Sequence, residues 1–488
     1  MQNIEELQVM TDILLINPTE DVALRHATRK KFASHQEFVD SQLADGLAMA
    51  QSPHIGLAYL LAVAHHKNGM TGHVIDMAAD KLGVEDILDW VDKHRPSVVG
   101  ITAFTIQVKS ASYIAEKIKD KHPDTLVILG GAHATAMPVE ALKEFPAFDA
   151  TIPGEAENPW YNLLNNLDAI SSVPGVVTLD NEKTLYVNKT VHNTPTKQIM
   201  RIDSLDDIPF PMWEAFNLSN YAGESPHRTS LELPISTSRG CPYGCNFCSR
   251  MFGRKRIYRS VDSTIEEMWR NVKDFGAEAI CFLDETFVAS KKFSEELFLR
   301  MIDEGLHKKI KWSCETTVHL DDPQYYKLMK EAGCYYIFYG FESANEEMLK
   351  RIGKGVKHKS QIVKAVTAAS SAGICCVGSF ILGLPGETEE TVMESIELSK
   401  VLSPNVYSVT FPIAVPFPGT AARTFAQTGK YGLKILTNNW DDYGKQFPGV
   451  MDSNHLSIDR LRELQALAYE ENPKKNMDEF LHLKSQQA

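Results

Sequence analysis

The sequence predicts an α/β protein: a Rossmann-like doubly wound domain, then a partial (β/α)6 barrel, then a small, mainly helical C-terminal segment. Three observations predict it. From Asp12 to Glu155, short apolar runs alternate with stretches of helical periodicity, the pattern of a parallel sheet covered on both faces. From Leu233 to Ala414 six further apolar runs recur, again with helical patterns between them. The second set carries acids and cysteines just beyond its strand ends, where β/α barrels keep their chemistry.

The 488 residues suffice for two or three full cores, and the pattern divides them at 1–174, 175–234, 235–420 and 421–488. An apolar share of 43% and a charged share of 23% place the chain among globular proteins rather than disordered ones. A net charge of −13 disfavours non-specific nucleic-acid binding. No apolar run reaches membrane-spanning length and the start carries no secretory pattern, so a cytoplasmic protein is expected. Eight cysteines, three of them in one loop, do not suit a disulfide framework and fit a reduced setting.

In the first domain, strands are expected at Asp12 to Pro18, His73 to Met77, Ser97 to Thr102, Thr125 to Gly131 and Phe148 to Glu155. A long polar stretch follows the first strand to about residue 51. Ser52-Pro53 then has the N-cap and first-turn signature of a helix that Gly69 closes. Ligands of such sheets lie beyond the carboxyl ends of the strands. Those ends are Asn17 to Thr19, Thr102 to Thr105, Gly130-Gly131-Ala132-His133 and Gly154-Glu155. No G-x-G-x-x-G opens the first helix, which disfavours a nicotinamide or flavin dinucleotide. Residues 176–187 read as a hairpin, and Tyr221 to Pro234 as an extended linker.

The barrel strands are expected at Leu233 to Ser236, Ala279 to Leu283, Lys311 to Cys314, Tyr335 to Gly340, Cys376 to Leu382 and Val406 to Ala414. Ser263-Thr264-Ile265-Glu266 reads as a capping box for a helix ending at Gly276. After the first strand come Cys241, Cys245 and Cys248, at C-x-x-x-C-x-x-C spacing. Three thiolates this close can hold three corners of a cubic iron–sulfur cluster and leave the fourth iron open. Zinc would prefer a fourth Cys or His at ligand spacing, and none follows nearby. The later strands end in Asp284-Glu285, Glu315, Glu342-Ser343 and Gly383 to Glu387, a set of acids converging on one mouth. Glu387 follows a Pro-Gly turn and is the one best suited to an N-cap role.

Residues 235–420 resemble the radical S-adenosylmethionine (SAM) superfamily, through the cysteine loop, the Phe-Glu-Ser after the fourth strand and the Leu-Gly-Leu-Pro-Gly-Glu-Thr after the fifth. The resemblance implies a 4Fe–4S cluster on Cys241, Cys245 and Cys248, with SAM on the open iron. It implies that Phe247 contacts the adenine, that Asp284 or Glu285 meets the methionine amino group, and that the backbone around Gly383 packs on the adenine. Glu315 and Glu342, with Ser343 beside it, are then candidates for the ribose hydroxyls or the methionyl end. The first domain is similar to the cobalamin-binding domain that precedes many radical SAM enzymes, through Ile55-Gly56, Gly130-Gly131-Ala132-His133 and Gly154-Glu155. That implies cobalamin contacts from those residues and from Thr102 and Thr105. The D-x-H-x-x-G motif is missing, so the cofactor is expected without a protein histidine on cobalt. His133 is read as lining the site or capping its helix.

The implied activity is reductive cleavage of SAM to a 5′-deoxyadenosyl radical, with C-methylation of an unactivated carbon through methylcobalamin. The alternatives are a radical cyclase or rearrangement enzyme with the same cofactors, as anaerobic porphyrin-ring cyclases are, or a non-catalytic corrinoid-binding protein. Expected partners are a small-molecule, lipid or peptide substrate and a low-potential electron donor such as flavodoxin or ferredoxin. Trp440 to Tyr443 and a helix capped by Ser457 read equally as a lid over the barrel mouth or as a cover for its open edge.

Overall fold

The computed structural model describes residues 12–19, 52–179, 201–221, 231–444, 449–473 and 475, which fall into two compact units. The first unit holds a five-stranded, wholly parallel sheet in the order β2-β1-β3-β4-β5. Its strands are β1 (Ile13–Asn17), β2 (Gly72–Asp76), β3 (Val98–Thr102), β4 (Leu126–Gly130) and β5 (Ala150–Thr151). Its main helices are α1 (Ile55–Asn68), α2 (Val84–His94), α3 (Val108–Lys121), α4 (Gly131–Ala136), α5 (Pro138–Glu144) and α6 (Glu157–Leu164). Ile13 to Ile16 are fully buried, as an unbroken apolar run must be when helices cover both faces.

The strand order reverses at β1, so the carboxyl ends of β1 and β3 flank the crevice where such sheets take ligands. Gln107 ties that crevice together. Its Nε2 donates to the Pro18 carbonyl at 2.7 Å, and its Oε1 accepts from the Phe104 N–H at 2.8 Å.

Local differences from the sequence pattern have local causes. Helix α1 starts at Ile55 rather than at Ser52-Pro53, because the His54 ring caps it: Nδ1 accepts the Leu57 N–H at 3.2 Å. Strand β5 has two residues, since the chain turns away at Pro153-Gly154 and the Gly154 N–H goes to Thr135 Oγ1. Most of the hairpin read at 176–187, the stretch 20–51 and residues 222–230 of the linker read at Tyr221 to Pro234 lie outside the described residues, and the linker's end, from Glu232, is already strand. Val177 does bridge Thr151.

The second unit is built on a six-stranded parallel sheet, β13-β12-β11-β10-β9-β6. Its strands are β6 (Glu232–Ile235), β9 (Ala279–Phe282), β10 (Lys311–Thr316), β11 (Cys334–Glu342), β12 (Cys375–Phe380) and β13 (Ser408–Thr410). Helices α7 (Val261–Phe275), α8 (Lys291–Asp303), α9 (Pro323–Glu331), α10 (Glu346–Ile352), α11 (Lys359–Ser371) and α12 (Glu389–Leu402) fall between the strands. The cap of α7 is Ser260, one turn ahead of the expected box, because Val261 already begins the buried face. Buried rings bind helix and turn to the sheet: Phe298 of α8 stacks on Trp312 of β10 with centroids 5.1 Å apart, and Phe287, in the turn after β9, stacks on Phe282 at 4.2 Å.

After α13 (Ala421–Gln427) and the short antiparallel pair β14 (Lys434–Ile435) and β15 (Met451–Asp452), the last helix among the described residues, α14 (Ile458–Glu471), lies on the sheet's open edge. Gln465 Nε2 donates to the Phe411 carbonyl at 2.7 Å, and the Phe411 N–H donates to the Tyr469 hydroxyl at 3.2 Å. The helix therefore takes up backbone groups that the end strand would otherwise leave unpaired. Trp440 and Tyr443 pack under the Arg423 guanidinium, while Phe447 and Pro448 lie outside the described residues. Among the described residues no helix is long and apolar enough to cross a membrane.

Replacing Gln465 with Ala removes the partner of a buried carbonyl. We expect a loss of about 1–3 kcal/mol, seen as a lower melting temperature; an unchanged midpoint would mean that packing alone covers the edge.

Candidate active site

The cysteine loop is the tip of a hairpin. Strands β7 (Ser238–Arg239) and β8 (Ile257–Tyr258) pair antiparallel, and residues 240–256 connect them. Gly240 has φ +99°, and a Cβ there would sit 2.3 Å from the Lys255 carbonyl oxygen, so only glycine fits the base of the tip. The Cys241 N–H donates to the Gly253 carbonyl at 3.0 Å. The loop is also fastened to the end of α10, with Gly244 N–H on the Gly353 carbonyl and Asn246 N–H on the Ile352 carbonyl, both at 3.0 Å. At its foot, Arg259 and Glu267 form a buried ion pair.

Cys241, Cys245 and Cys248 are half-buried free thiols. Burial pushes the Cys245 thiol up to about 12, against the opposing pull of the Lys354 ammonium, and burial raises Cys248 as well. Among the described residues no three His, Cys, Asp or Glu side chains converge tightly enough for a single ion. Three thiols spread over one loop suit a cluster, where each thiolate has its own iron.

The strand-end acids divide into two kinds. Asp284 is turned inward: its carboxylate accepts the Thr237 N–H at 3.1 Å, the Thr237 hydroxyl at 2.9 Å and the Ser238 hydroxyl at 2.5 Å. It braces the strand that leads into the cysteine loop, and so is not available to a ligand's amino group. Glu285 beside it is exposed, as is Glu315 at the end of β10. Thr286 lies against the loop, with its Oγ1 3.7 Å from Cys241 Sγ.

Glu342 is buried, at φ +65°, where a bulge shifts the register of β11 against β12. Its carboxylate pairs with Lys354, whose Nζ also donates to the Gly340 carbonyl at 2.8 Å. The sequence reading passed over Lys354; the available signal was a lysine between two glycines, Gly353 and Gly355, just past a helix. Ser343 is fully buried, and its hydroxyl accepts the Asn345 N–H at 3.2 Å, so it braces the start of α10 rather than reaching the mouth. Phe247 is half-buried in the loop.

Gly383 has φ +79°, and its N–H and that of Leu384 both donate to Glu387 Oε2, at 2.6 and 3.0 Å. Glu387 thus closes the turn after β12, while Thr388 is the residue that begins α12. Burial pushes the Glu387 carboxyl up to about 8.

In the first unit, Ile55, Gly56, Gly130, Gly131, Ala132 and Gly154 are half-buried around the carboxyl ends, and Thr102 and Thr105 are buried. No atom lies within 4 Å of where a Cβ on Gly130 would point, which leaves open space at the end of β4. Gly131 serves packing instead: at φ +85° its Cβ would meet Ala103 N and Thr102 Oγ1 at 2.7 Å. His133 is fully buried, with Nδ1 3.4 Å from Thr105 Oγ1. Glu155 is also buried and engaged elsewhere, accepting the Ile202 N–H at 2.6 Å and pairing with Arg201 at 3.4 Å. Phe104, inside the strand end read at Thr102 to Thr105 but not singled out there, stands 58% exposed at the crevice. Open space beside half-buried glycine backbone, with an apolar ring at its edge, fits a broad, largely apolar macrocycle.

Residues 235–399 match the family model of the radical SAM superfamily, and residues 48–164 match that of the B12 binding domain. An uncharacterized methyltransferase of Pyrococcus horikoshii is 33% identical over 422 residues, covering 86% of this chain and 87% of its own. The anaerobic magnesium-protoporphyrin IX monomethyl ester cyclase of Cereibacter sphaeroides is 29% identical over 75% of this chain and 59% of its own. The fold is shared with TsrM, a radical S-adenosylmethionine methyltransferase of Kitasatospora setae solved with cobalamin and a 4Fe–4S cluster. That match has a TM-score of 0.67 at 17% identity over 95% of this chain and 88% of the other.

Two expectations follow from the buried acids. Asp284→Asn weakens three donors' hold on the strand before the cysteine loop and should cost about 1–3 kcal/mol, with less iron retained after reconstitution; full iron content would remove the bracing role. Between its ordinary value of 4.5 and about 8, the native Glu387 carboxyl keeps a proton that the unfolded chain releases. Its contribution to stability therefore falls as pH rises through that window and is flat above it. Denaturation at stepped pH should show Glu387→Gln gaining on the wild type from about pH 5 to about pH 8, by at most about 1.4 kcal/mol per unit.

Proposed function

The chain belongs to the cobalamin-binding radical SAM superfamily, and on that premise we propose that it methylates an unactivated carbon of a small-molecule substrate. It is a cobalamin-dependent radical SAM enzyme with a 4Fe–4S cluster. The observation that carries the site assignment is the fastening of the cysteine hairpin to the end of α10. This holds three thiols beside the Glu342–Lys354 pair.

In this reading Cys241, Cys245 and Cys248 hold the cluster and leave one iron for SAM. When bound, the cofactors supply a one-electron cleavage of the sulfonium, a carbon-centred radical and a methyl group for transfer. The chain's residues bind and orient. Lys354, held by Glu342, offers a fixed cation to the methionyl carboxylate, and Glu285 takes the amino group that Asp284 cannot reach. Glu315 receives the ribose hydroxyls. Phe247 and the turn at Gly383, kept in shape by Glu387, flank the adenine. In the first unit the backbone of Gly56 and Gly130 to Ala132, with the Phe104 ring, forms the cradle for the corrin. His133 and Glu155, both buried, would act as structural supports of the strand ends rather than as contacts to the cofactor.

Methylation is favoured over cyclisation because the chain matches the methyltransferase of Pyrococcus horikoshii over most of both lengths, and spans only 59% of the cyclase. The electron donor is read as a flavodoxin or ferredoxin. The free cysteines support a reducing, cytoplasmic setting.

Product analysis tests the reaction. Reconstituted protein with SAM, a low-potential reductant and the substrate should release 5′-deoxyadenosine and S-adenosylhomocysteine together. Turnover of substrate with deoxyadenosine alone would give the cyclase reading its place.

A further inference from the structure

The stretch from Ser236 to Ser260 holds six basic residues and no acidic one, in a chain whose net charge is −13. Three of the six are committed inward. Arg259 is buried against Glu267, Arg256 donates to the Thr286 carbonyl at 2.6 Å, and buried Arg239 lies over the Phe252 ring. The other three are displayed: Arg254 and Lys255 are exposed, and Arg250 is half-buried in the left-handed region at φ +45°. They sit on the return arm of the cysteine hairpin. The Gly253 carbonyl, one residue before them, accepts the N–H of Cys241. A Cβ on Gly244 would lie 2.8 Å from Arg254 Nη2, so the guanidinium lies across the cysteine loop itself.

We propose that this turn, Arg250 to Lys255, is the docking surface for the protein that reduces the cluster: an acidic carrier of a low-potential one-electron centre. The proposal rests on the radical SAM reading above and adds the surface and the chemistry of the partner. In the step it serves, one electron leaves the partner's flavin or iron–sulfur centre and one enters the cluster. A partner seated on Arg254 is one hydrogen bond from the backbone of a cluster ligand. Opposite charge on the two faces raises the encounter rate and fixes orientation. A polynucleotide is the weaker fit. It would extend well past the patch, across a chain that is acidic overall, whereas a compact acidic protein touches only the patch.

The test compares two reductants on the reconstituted protein and on its R254E/K255E variant, following bleaching of the cluster absorbance in stopped flow. The reductants are photoreduced flavodoxin and reduced methyl viologen, a small cation. The wild-type rate with flavodoxin should fall steeply with added salt. The double reversal should slow flavodoxin by about tenfold or more and flatten the salt dependence, with viologen reduction and iron content unchanged. Equal flavodoxin rates in the two proteins would overturn the proposal, as would parallel slowing with both reductants, which would assign the turn to the loop's own structure. A variant indifferent to flavodoxin but stripped of affinity for bulk transfer RNA would reassign the patch to nucleic acid. Failure of either protein to assemble a cluster would count against the radical SAM site itself, since iron content is read before any reductant is added.

Discussion

The contact between Gly244 and Gly353 governs the geometry of the site. The constraint falls on Gly353: its φ is +78°, and a Cβ there would press on the Gly244 carbonyl oxygen at 3.0 Å, whereas one on Gly244 would meet the Gly353 carbonyl at an ordinary 3.5 Å. Their backbones can therefore meet, and the hydrogen bond between them joins a loop after β6 to a helix end after β11. This approach, with the Asn246 N–H on the Ile352 carbonyl beside it, brings the cysteines and Lys354 together. A side chain at Gly353 would strain its left-handed backbone and push against the loop that carries the thiols.

Burial sorts the carboxylates. Asp284, Glu387 and Glu155 are each enclosed and spent on backbone N–H or hydroxyl donors, so they hold loops in shape. Glu285 and Glu315 stay at the surface of the strand ends. Glu342 is intermediate in kind: enclosed, but matched by an ammonium rather than by backbone donors. A buried ion pair of this sort adds little net stability, but it holds a cation in place at a defined point.

Much of this was legible in the chain. Unbroken apolar runs such as Ile13 to Ile16 mark buried parallel strands, and the cysteine spacing marks the cluster loop. What sequence could not separate was Asp284 from Glu285, since adjacent acids on a strand end face opposite ways and the deciding donors, Thr237 and Ser238, lie 47 and 46 residues away. Lys354 was missed for the same reason: its partner Glu342 is brought to it by a bulge and a left-handed residue, neither of which periodicity reveals. The cap of α1 by His54 went unread because histidine is not among the favoured N-caps.

Helix α14 reaches the turn at Gly383, where a Cβ would lie 2.8 Å from Leu461 Cδ1. The side chain of Leu461 seats the turn that Glu387 closes from the other side. During synthesis the barrel strands leave the ribosome well before Leu461 does. At about 5–20 residues per second, the nascent barrel spends several seconds with the outer edge of its end strand uncovered and this turn unsupported. Completion of the site is thus tied to synthesis of α14, and a chain truncated before residue 458 would carry every cysteine and every strand-end acid yet lack the buttress of the Gly383 turn.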